Sequence, residues 1–147
     1  MNHRFPRELD ELPRIFRFLD DAAHTLHLDA DAKFALDLAV EELFTNALKH
    51  NPSGGGPLEI EVWIEGDPQT TAKSGTDPVL RVTFTDPDAS PFDPASVPPV
   101  DTLAPLHDRK PGGLGLHILS SIMDHVESEH DGRISRIHLG KFLPDHV

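Results

Sequence analysis

Several residue types that shape other proteins are missing or scarce in this chain of 147 residues. It has no cysteine, which excludes disulfide bonds and thiolate metal ligands. Aromatic residues make up only 6% of the chain, so the core must be mainly aliphatic. No run approaches the roughly 20 apolar residues that span a bilayer, and the N-terminal residues lack the apolar stretch of a signal peptide. We therefore expect a soluble, cytoplasmic protein with no membrane partner.

Basic residues are also few, and the net charge is −12. Phosphate backbones repel such a surface, and no basic stripe with interleaved aromatic residues offsets this repulsion. Nucleic acid is therefore not an expected partner. The ten histidines are scattered. His24 and His27 are neighbours on a predicted helix, but with no third ligand they are interpreted as solvated side chains.

Proline and glycine are plentiful, with 14 and 10 residues, so much of the chain must be loop. Two N-terminal segments have the apolar spacing of amphipathic helices, at 8–26 and 31–50. Asp29 or Asp31 can cap the second helix, and the Asn51–Gly56 segment ends it. The apolar residues of the first helix are Leu9, Leu12, Ile15, Phe16, Leu19, Ala22, Ala23 and Leu26.

Residues 57–65 and 78–86 alternate apolar and polar side chains, which is typical of half-buried strands. A third helix is expected at roughly 114–126, and two short strands near 125–130 and 133–142. This order of elements predicts one domain over 1–147 with an α+β fold, a two-layer α/β sandwich. Its sheet would be mixed and mostly antiparallel, with the helices on one face. Residues 87–113 are rich in Pro and Asp and lack periodicity, which predicts a long loop, and such loops are usually functional.

Glu42 and Asn46 are four residues apart in the second helix, so they lie on one helical face. If that face points inward, a carboxylate and a carboxamide converge where burial is costly without partners. A divalent cation and a polar substrate would supply those partners. The alternative is an ordinary polar stripe on the helix.

Three glycines, Gly112, Gly113 and Gly115, precede the third apolar helix. A glycine loop lets the backbone approach phosphate oxygens, and a helix N-terminus adds aligned N–H groups. The segment is neither a P-loop nor a dinucleotide fingerprint, and a flexible turn is the simpler reading. Arg109 and Lys110 stand just before it and can meet a terminal phosphate or remain solvated.

Asp86 ends a predicted strand in the same phase as the inward-facing Leu80, Val82 and Phe84. A carboxylate at the inner end of a strand can accept a hydrogen bond from an exocyclic amine such as that of adenine. An Asp-Pro turn is the commoner meaning of such a sequence, and Asp88 and Asp93 are nearby alternatives.

Taken together, the three segments resemble the boxes of the GHKL (Bergerat-fold) ATPases, which include gyrase, MutL and histidine kinases. Residues 42–50, Glu-x-x-x-Asn-Ala-x-x-His, are similar to the N box, and Asp86 with Pro-Phe-Asp-Pro at 91–94 is similar to the G1 box. Residues 112–118 are similar to the G2 box. Within that superfamily the chain looks most like bacterial anti-sigma-factor serine kinases of the RsbW type, over about residues 8–143.

The resemblance implies that the chain binds ATP and Mg²⁺, with Asn46 as the metal ligand and Glu42 as the catalytic base. It implies an adenine contact at Asp86 and a lid of residues 87–113 that closes over the phosphates. The other cofactor-binding positions carried over are His50, Asp88, Phe92, Arg109, Lys110, Gly112, Gly113, Leu114, Gly115, Leu116 and Ser135.

Two departures from the family pattern affect this site. The G1 box usually reads Asp-x-Gly, whereas this chain has Asp86-Pro87-Asp88-Ala89, so the adenine contact can fall on Asp88. The last strand often carries a threonine near adenine, and Ser135 is the nearest equivalent here.

The leading hypothesis is a protein serine/threonine kinase that binds a sigma factor and phosphorylates a STAS-type anti-sigma-factor antagonist. The alternative is a non-catalytic, ATP-binding module that sequesters a partner. A homodimer is compatible with the resemblance. Sensor histidine kinases and gyrase-type ATPases need further segments, and both are less favoured.

Overall fold

The computed structural model describes residues 1–51, 54–66, 78–88 and 119–143. The chain begins with strand β1 (Asn2–Phe5) and a short 3-10 helix (Leu9–Glu11). Helices α1 (Leu12–Thr25) and α2 (Ala30–His50) follow. The remaining strands are β2 (Leu58–Glu65), β3 (Val79–Asp86), β4 (His125–Asp131) and β5 (Ile134–Phe142). Residues 119–122 are helical and belong to the expected third helix.

The five strands form one sheet in the order β1-β2-β3-β5-β4, and every described pairing is antiparallel. Alternate residues of β2 and β3 are buried, as the sequence pattern predicts. The helices α1 and α2 pack together, and α2 packs on β3. The α+β two-layer sandwich is thereby confirmed. No helix in the described part of the chain is long and apolar enough to cross a bilayer.

The core lies between the inner face of the sheet and the apolar faces of the helices. Burying these side chains stabilises the fold by about 1.5–3 kcal/mol for each large aliphatic residue, before entropy is subtracted. The fully buried large side chains are Phe5, Ile15, Leu19, Leu36, Val40, Phe44, Leu58, Ile60, Val62, Leu80, Leu119 and Leu139.

The first α-helix begins later than the predicted residue 8. Its first turn is a 3-10 helix, and Leu9, expected on the apolar face, is 60% exposed. The regular α-helix starts at Leu12, with Pro13 in its first turn, where no intrahelical partner is needed for its missing N–H. Asp29 caps α2 by accepting a hydrogen bond from the Ala32 N–H at 2.8 Å.

The third helix also ends earlier than the predicted residue 126. Its last helical hydrogen bond runs from the Met123 N–H to the Leu119 carbonyl. The next N–H, that of Asp124, donates instead to the Gly140 carbonyl of β5. Pairing with β5 therefore takes over, and β4 begins at His125.

Candidate nucleotide site

Glu42 and Asn46 lie in the C-terminal half of α2, about 6 Å apart along the helix axis. Both residues are half-buried, although their neighbours Leu43 and Phe44 are fully buried in the core. Neither side chain has a hydrogen-bond partner among the residues that the structure describes. A carboxylate and a carboxamide at this depth need partners, and oxygen ligands of this kind suit Mg²⁺.

Asp86 is the last residue of β3 and is 6% exposed. It continues the buried series Leu80, Val82 and Phe84, as its phase in the sequence predicts. Its carboxylate therefore lies on the inner face of the sheet, on the side covered by the helices. A buried carboxylate costs several kcal/mol unless charge and hydrogen bonds compensate it.

Arg7 supplies the charge that compensates Asp86. Its Nη2 donates to Asp86 Oδ1, and its Nη1 donates to Asp86 Oδ2 at 3.2 Å. The Arg7 side chain is 6% exposed and that of Asp86 9%, so the pair is shielded from water. Two parallel donors from one planar guanidinium make a bidentate contact, which fixes the orientation of the carboxylate.

The backbone after α2 holds Arg7 in turn. Arg7 Nε donates to the Gly56 carbonyl at 2.9 Å, and Nη2 reaches the Gly55 carbonyl at 3.4 Å. A Cβ atom at Gly54 would lie 2.7 Å from Arg7 Cζ and 2.7 Å from Asn51 Nδ2. Glycine is therefore required at position 54 for the guanidinium to lie so close to this segment.

Asp88 has a different role from Asp86. Its carboxylate accepts hydrogen bonds from the Gly55 N–H at 2.6 Å and from Arg133 Nε at 2.5 Å. The Gly55 N–H, followed by the Arg133 guanidinium, lowers the pKa of Asp88 below its ordinary value of 3.8. The Asn51 side chain also donates to the Asp88 carbonyl. Asp88 thus anchors the chain after β3, which leaves Asp86 as the better candidate for a base contact.

Ser135 lies directly opposite Asp86 in the pairing of β3 with β5. Side chains at directly opposed antiparallel positions share a face, with Cβ atoms about 5 Å apart. The structure therefore brings Ser135 and Asp86 together, whereas His50 is exposed at the end of α2.

The remaining predicted positions lie outside the described residues. They are Phe92, Arg109, Lys110, Gly112, Gly113, Leu114, Gly115 and Leu116, together with lid residues 89–113.

The sequence alone did not predict Arg7, Asn51, Gly55 and Arg133 as neighbours of Asp86 and Asp88. The Gly54–Gly56 run was read only as the end of a helix, although three consecutive glycines are also a sign of close backbone approach. Arg7 carries no such local sign, since its partner lies 79 residues further along the chain.

A cavity of about 450 Å³ opens beside Arg7 and is lined by Pro6, Arg7, Glu8, Gly54, Gly56 and Pro57. Glu42, Asn46 and Asp86 are not among its lining residues, so this cavity is not formed by the candidate site. No group of three or more potential metal-binding side chains occurs within the described ranges. A metal bound at Asn46 would therefore depend on other ligands, such as phosphate oxygens and water.

A family model of the histidine kinase-like ATPase domain matches residues 5–141. The serine-protein kinase RsbW of Halalkalibacterium halodurans is 30% identical to this chain over 112 residues. That match covers 74% of the chain and 61% of the relative, so the chain spans less than two thirds of the relative's length. Both findings confirm the resemblance to GHKL proteins of the RsbW type.

Proposed function

The chain belongs to the histidine kinase-like ATPase domain family, and we propose that it is a Mg·ATP-dependent protein serine/threonine kinase and anti-sigma factor. Its substrate would be a serine or threonine of a STAS-type antagonist, and its second partner a sigma factor. One observation carries the proposal. Helix α2 presents Glu42 and Asn46, which are half-buried and have no hydrogen-bond partner among the described residues, and it packs on β3, the strand that ends at buried Asp86.

The chemistry of these residues fits the proposed cofactor. The Asn46 amide oxygen would serve as the protein ligand of Mg²⁺, which usually keeps several waters and phosphate oxygens. The buried Asp86 carboxylate would accept a hydrogen bond from the adenine amine. The net charge of −12 repels phosphates, so their binding depends on local groups such as the metal and backbone N–H groups.

Glu42 would act as the general base. When bound, Mg·ATP would supply the γ-phosphoryl group and leave as ADP, with Mg²⁺ offsetting the charge of the phosphates. Glu42 would accept the proton of the acceptor hydroxyl, held about 3 Å away by the docked antagonist. Because the hydroxyl comes from the partner, hydrolysis of ATP by the chain alone should be slow. Catalysis would rest mainly on positioning the two reactants.

The test is phosphate transfer from radiolabelled Mg·ATP to a cognate antagonist. We expect the parent to label a serine or threonine of the antagonist, and Glu42→Gln to transfer phosphate about 10²–10⁴-fold more slowly, the usual contribution of a general base. Glu41→Gln is the matched control, because Glu41 is adjacent on α2 and exposed. It should retain the parent's rate.

Equal rates for Glu42→Gln and the parent would contradict the role of Glu42. An antagonist that stays unlabelled while the parent binds Mg·ATP would leave the alternative, a non-catalytic module that sequesters a partner. Calorimetry that detects no nucleotide binding in the presence of Mg²⁺ would exclude both functions.

A further inference from the structure

The hydrogen-bonding capacity of Asp86 is almost fully used inside the protein. Oδ1 accepts from Arg7 Nη2 and from the Asp88 N–H at 3.0 Å. Oδ2 accepts from Arg7 Nη1 at 3.2 Å. An ionised carboxylate has about four lone-pair sites. Among the described residues, the remaining acceptor site of Asp86 is therefore on Oδ2.

The donors of Arg7 can be counted in the same way. A guanidinium has five N–H donors in fixed directions. The Nε donor meets the Gly56 carbonyl, the two Nη2 donors meet the Gly55 carbonyl and Asp86 Oδ1, and one Nη1 donor meets Asp86 Oδ2. The donor left without an acceptor in the described part of the chain is the second N–H of Nη1.

Among the described residues, the leftover donor is therefore on Arg7 Nη1 and the leftover acceptor on Asp86 Oδ2, two atoms that lie 3.2 Å apart. The ion pair thus offers an acceptor beside a donor. Adenine presents the complementary pair on one edge, where its exocyclic amine donates and the adjacent ring nitrogen N1 accepts. Guanine presents a carbonyl oxygen and an N–H at these positions, so both contacts would become unfavourable.

We propose that Arg7 is a base-recognition residue: Asp86 Oδ2 accepts from the adenine amine, and Arg7 Nη1 donates to adenine N1. The inference rests on the proposed nucleotide binding and deepens it, since it assigns half of the base contact to the N-terminal segment. The site would be rigid before the ligand arrives, because the Gly55 and Gly56 carbonyls hold the guanidinium that orients Asp86. A preorganised site loses less affinity to ordering when the ligand binds.

The test compares Mg·ATP with Mg·1-deaza-ATP, in which a C–H group replaces N1, by calorimetry on the parent, Arg7→Met and Arg4→Met. A hydrogen bond to a charged group corresponds to a factor of about 10–100 in affinity. We expect the parent to bind 1-deaza-ATP weaker than ATP by that factor. Arg7→Met should bind ATP more weakly than the parent and should bind the two nucleotides equally, as a double-mutant cycle requires.

Arg4→Met is the matched control, because Arg4 is the arginine of β1 itself and pairs with Glu59 at the surface. It should keep the parent's preference for ATP over 1-deaza-ATP. GTP should bind the parent much more weakly than ATP does. In Arg7→Met, the difference between the affinities for ATP and GTP should be smaller.

Three results would overturn the inference. A parent that binds ATP and 1-deaza-ATP equally would do so, even if Arg7→Met fails to fold. If Arg7→Met kept the parent's ratio of ATP to 1-deaza-ATP affinity, the inference would be overturned as well. Tighter ATP binding by Arg7→Met would mean that Arg7 blocks Asp86 rather than assisting it. A parent that binds neither nucleotide would refute the proposed nucleotide binding itself. That outcome can be told apart from a failure of the proposed role of Arg7.

Discussion

Replacing Arg7 with methionine should lower the free energy of unfolding far more than replacing Arg4. Yet Arg4 lies in β1 and Arg7 just after it, and both pair with a carboxylate. The side chains of Arg7 and Asp86 are 6% and 9% exposed, whereas those of Arg4 and Glu59 are 72% and 31% exposed. Breaking a buried ion pair by removing one partner costs about 3–5 kcal/mol, because the other charge stays buried. Losing an exposed pair costs about 0–1 kcal/mol.

Urea unfolding followed by the fluorescence of Trp63, the single tryptophan, measures both effects. Trp63 is half-buried in β2, the strand that pairs with β1 and β3, so its emission reports on the sheet. With a urea dependence of about 2 kcal/mol per molar, Arg7→Met should lower the midpoint by about 1.5–2.5 M. Arg4→Met should lower it by less than about 0.5 M.

The double variant Arg7→Met/Asp86→Leu tests the reason for the difference. Removing both charges leaves no unpaired ion at this buried position, so most of the stability lost in Arg7→Met should be recovered. The Asp88 N–H, which donates to Asp86 Oδ1, would lose its acceptor, and about 1 kcal/mol of destabilisation should remain. Equal midpoints for Arg7→Met and Arg4→Met, or no recovery in the double variant, would refute the explanation by buried charge.

Two further predictions concern the helices. Lys33 Nζ lies 2.7 Å from carboxylate oxygens of Asp20 and of Asp37, and these hydrogen bonds raise the pKa of Lys33 above its ordinary value of 10.5. A raised lysine pKa contributes stability that is present below about pH 10.5 and lost as pH rises further. Because the side chain is 38% exposed, Lys33→Met should destabilise the protein by only about 0.5 kcal/mol at neutral pH. The urea midpoints of Lys33→Met and of the parent should converge as the pH is raised to about 12. A difference between the two midpoints that stays constant with pH would contradict this prediction. His27 follows α1 with a φ of 55°, a left-handed conformation that favours glycine. His27→Gly should therefore raise the free energy of unfolding by about 0.5–1 kcal/mol in the same urea assay. A lower urea midpoint for His27→Gly would contradict this prediction.

The elements that the sequence predicts best are those with a repeating apolar pattern. The alternation in β2 and β3 and the spacing in α2 correspond to buried faces, because each pattern is long enough to define one side of an element. Strand β1 has four residues, of which Phe5 alone is buried, so its sequence has no alternation to read. It forms because pairing with β2 satisfies its backbone and buries Phe5, and such a long-range contact is invisible in a local pattern.

The candidate site divides in the same way. Burial of Asp86 followed from its phase in β3, and its burial is confirmed. The choice between Asp86 and Asp88 could not be made from their spacing, because it depends on where other segments place their donors. Asp88 is engaged by Gly55 and Arg133, and Asp86 by Arg7, and none of these contacts is local in sequence.

The two ends of the proposed site differ in how complete they are before a ligand binds. At the base end, Asp86 is already paired, oriented and shielded from water by Arg7 and the glycine segment. At the phosphate end, Glu42 and Asn46 are half-buried without partners among the described residues. A fixed polar arrangement provides selectivity, because a wrong base leaves buried groups unpaired. Polar groups without partners provide a driving force for ligand binding, because a metal and a hydroxyl relieve the cost of their burial. Selectivity for the base should therefore depend on Arg7 and Asp86. Metal dependence and phosphate transfer should depend on Glu42 and Asn46. Substitutions at one end of the site should leave the property of the other end largely intact.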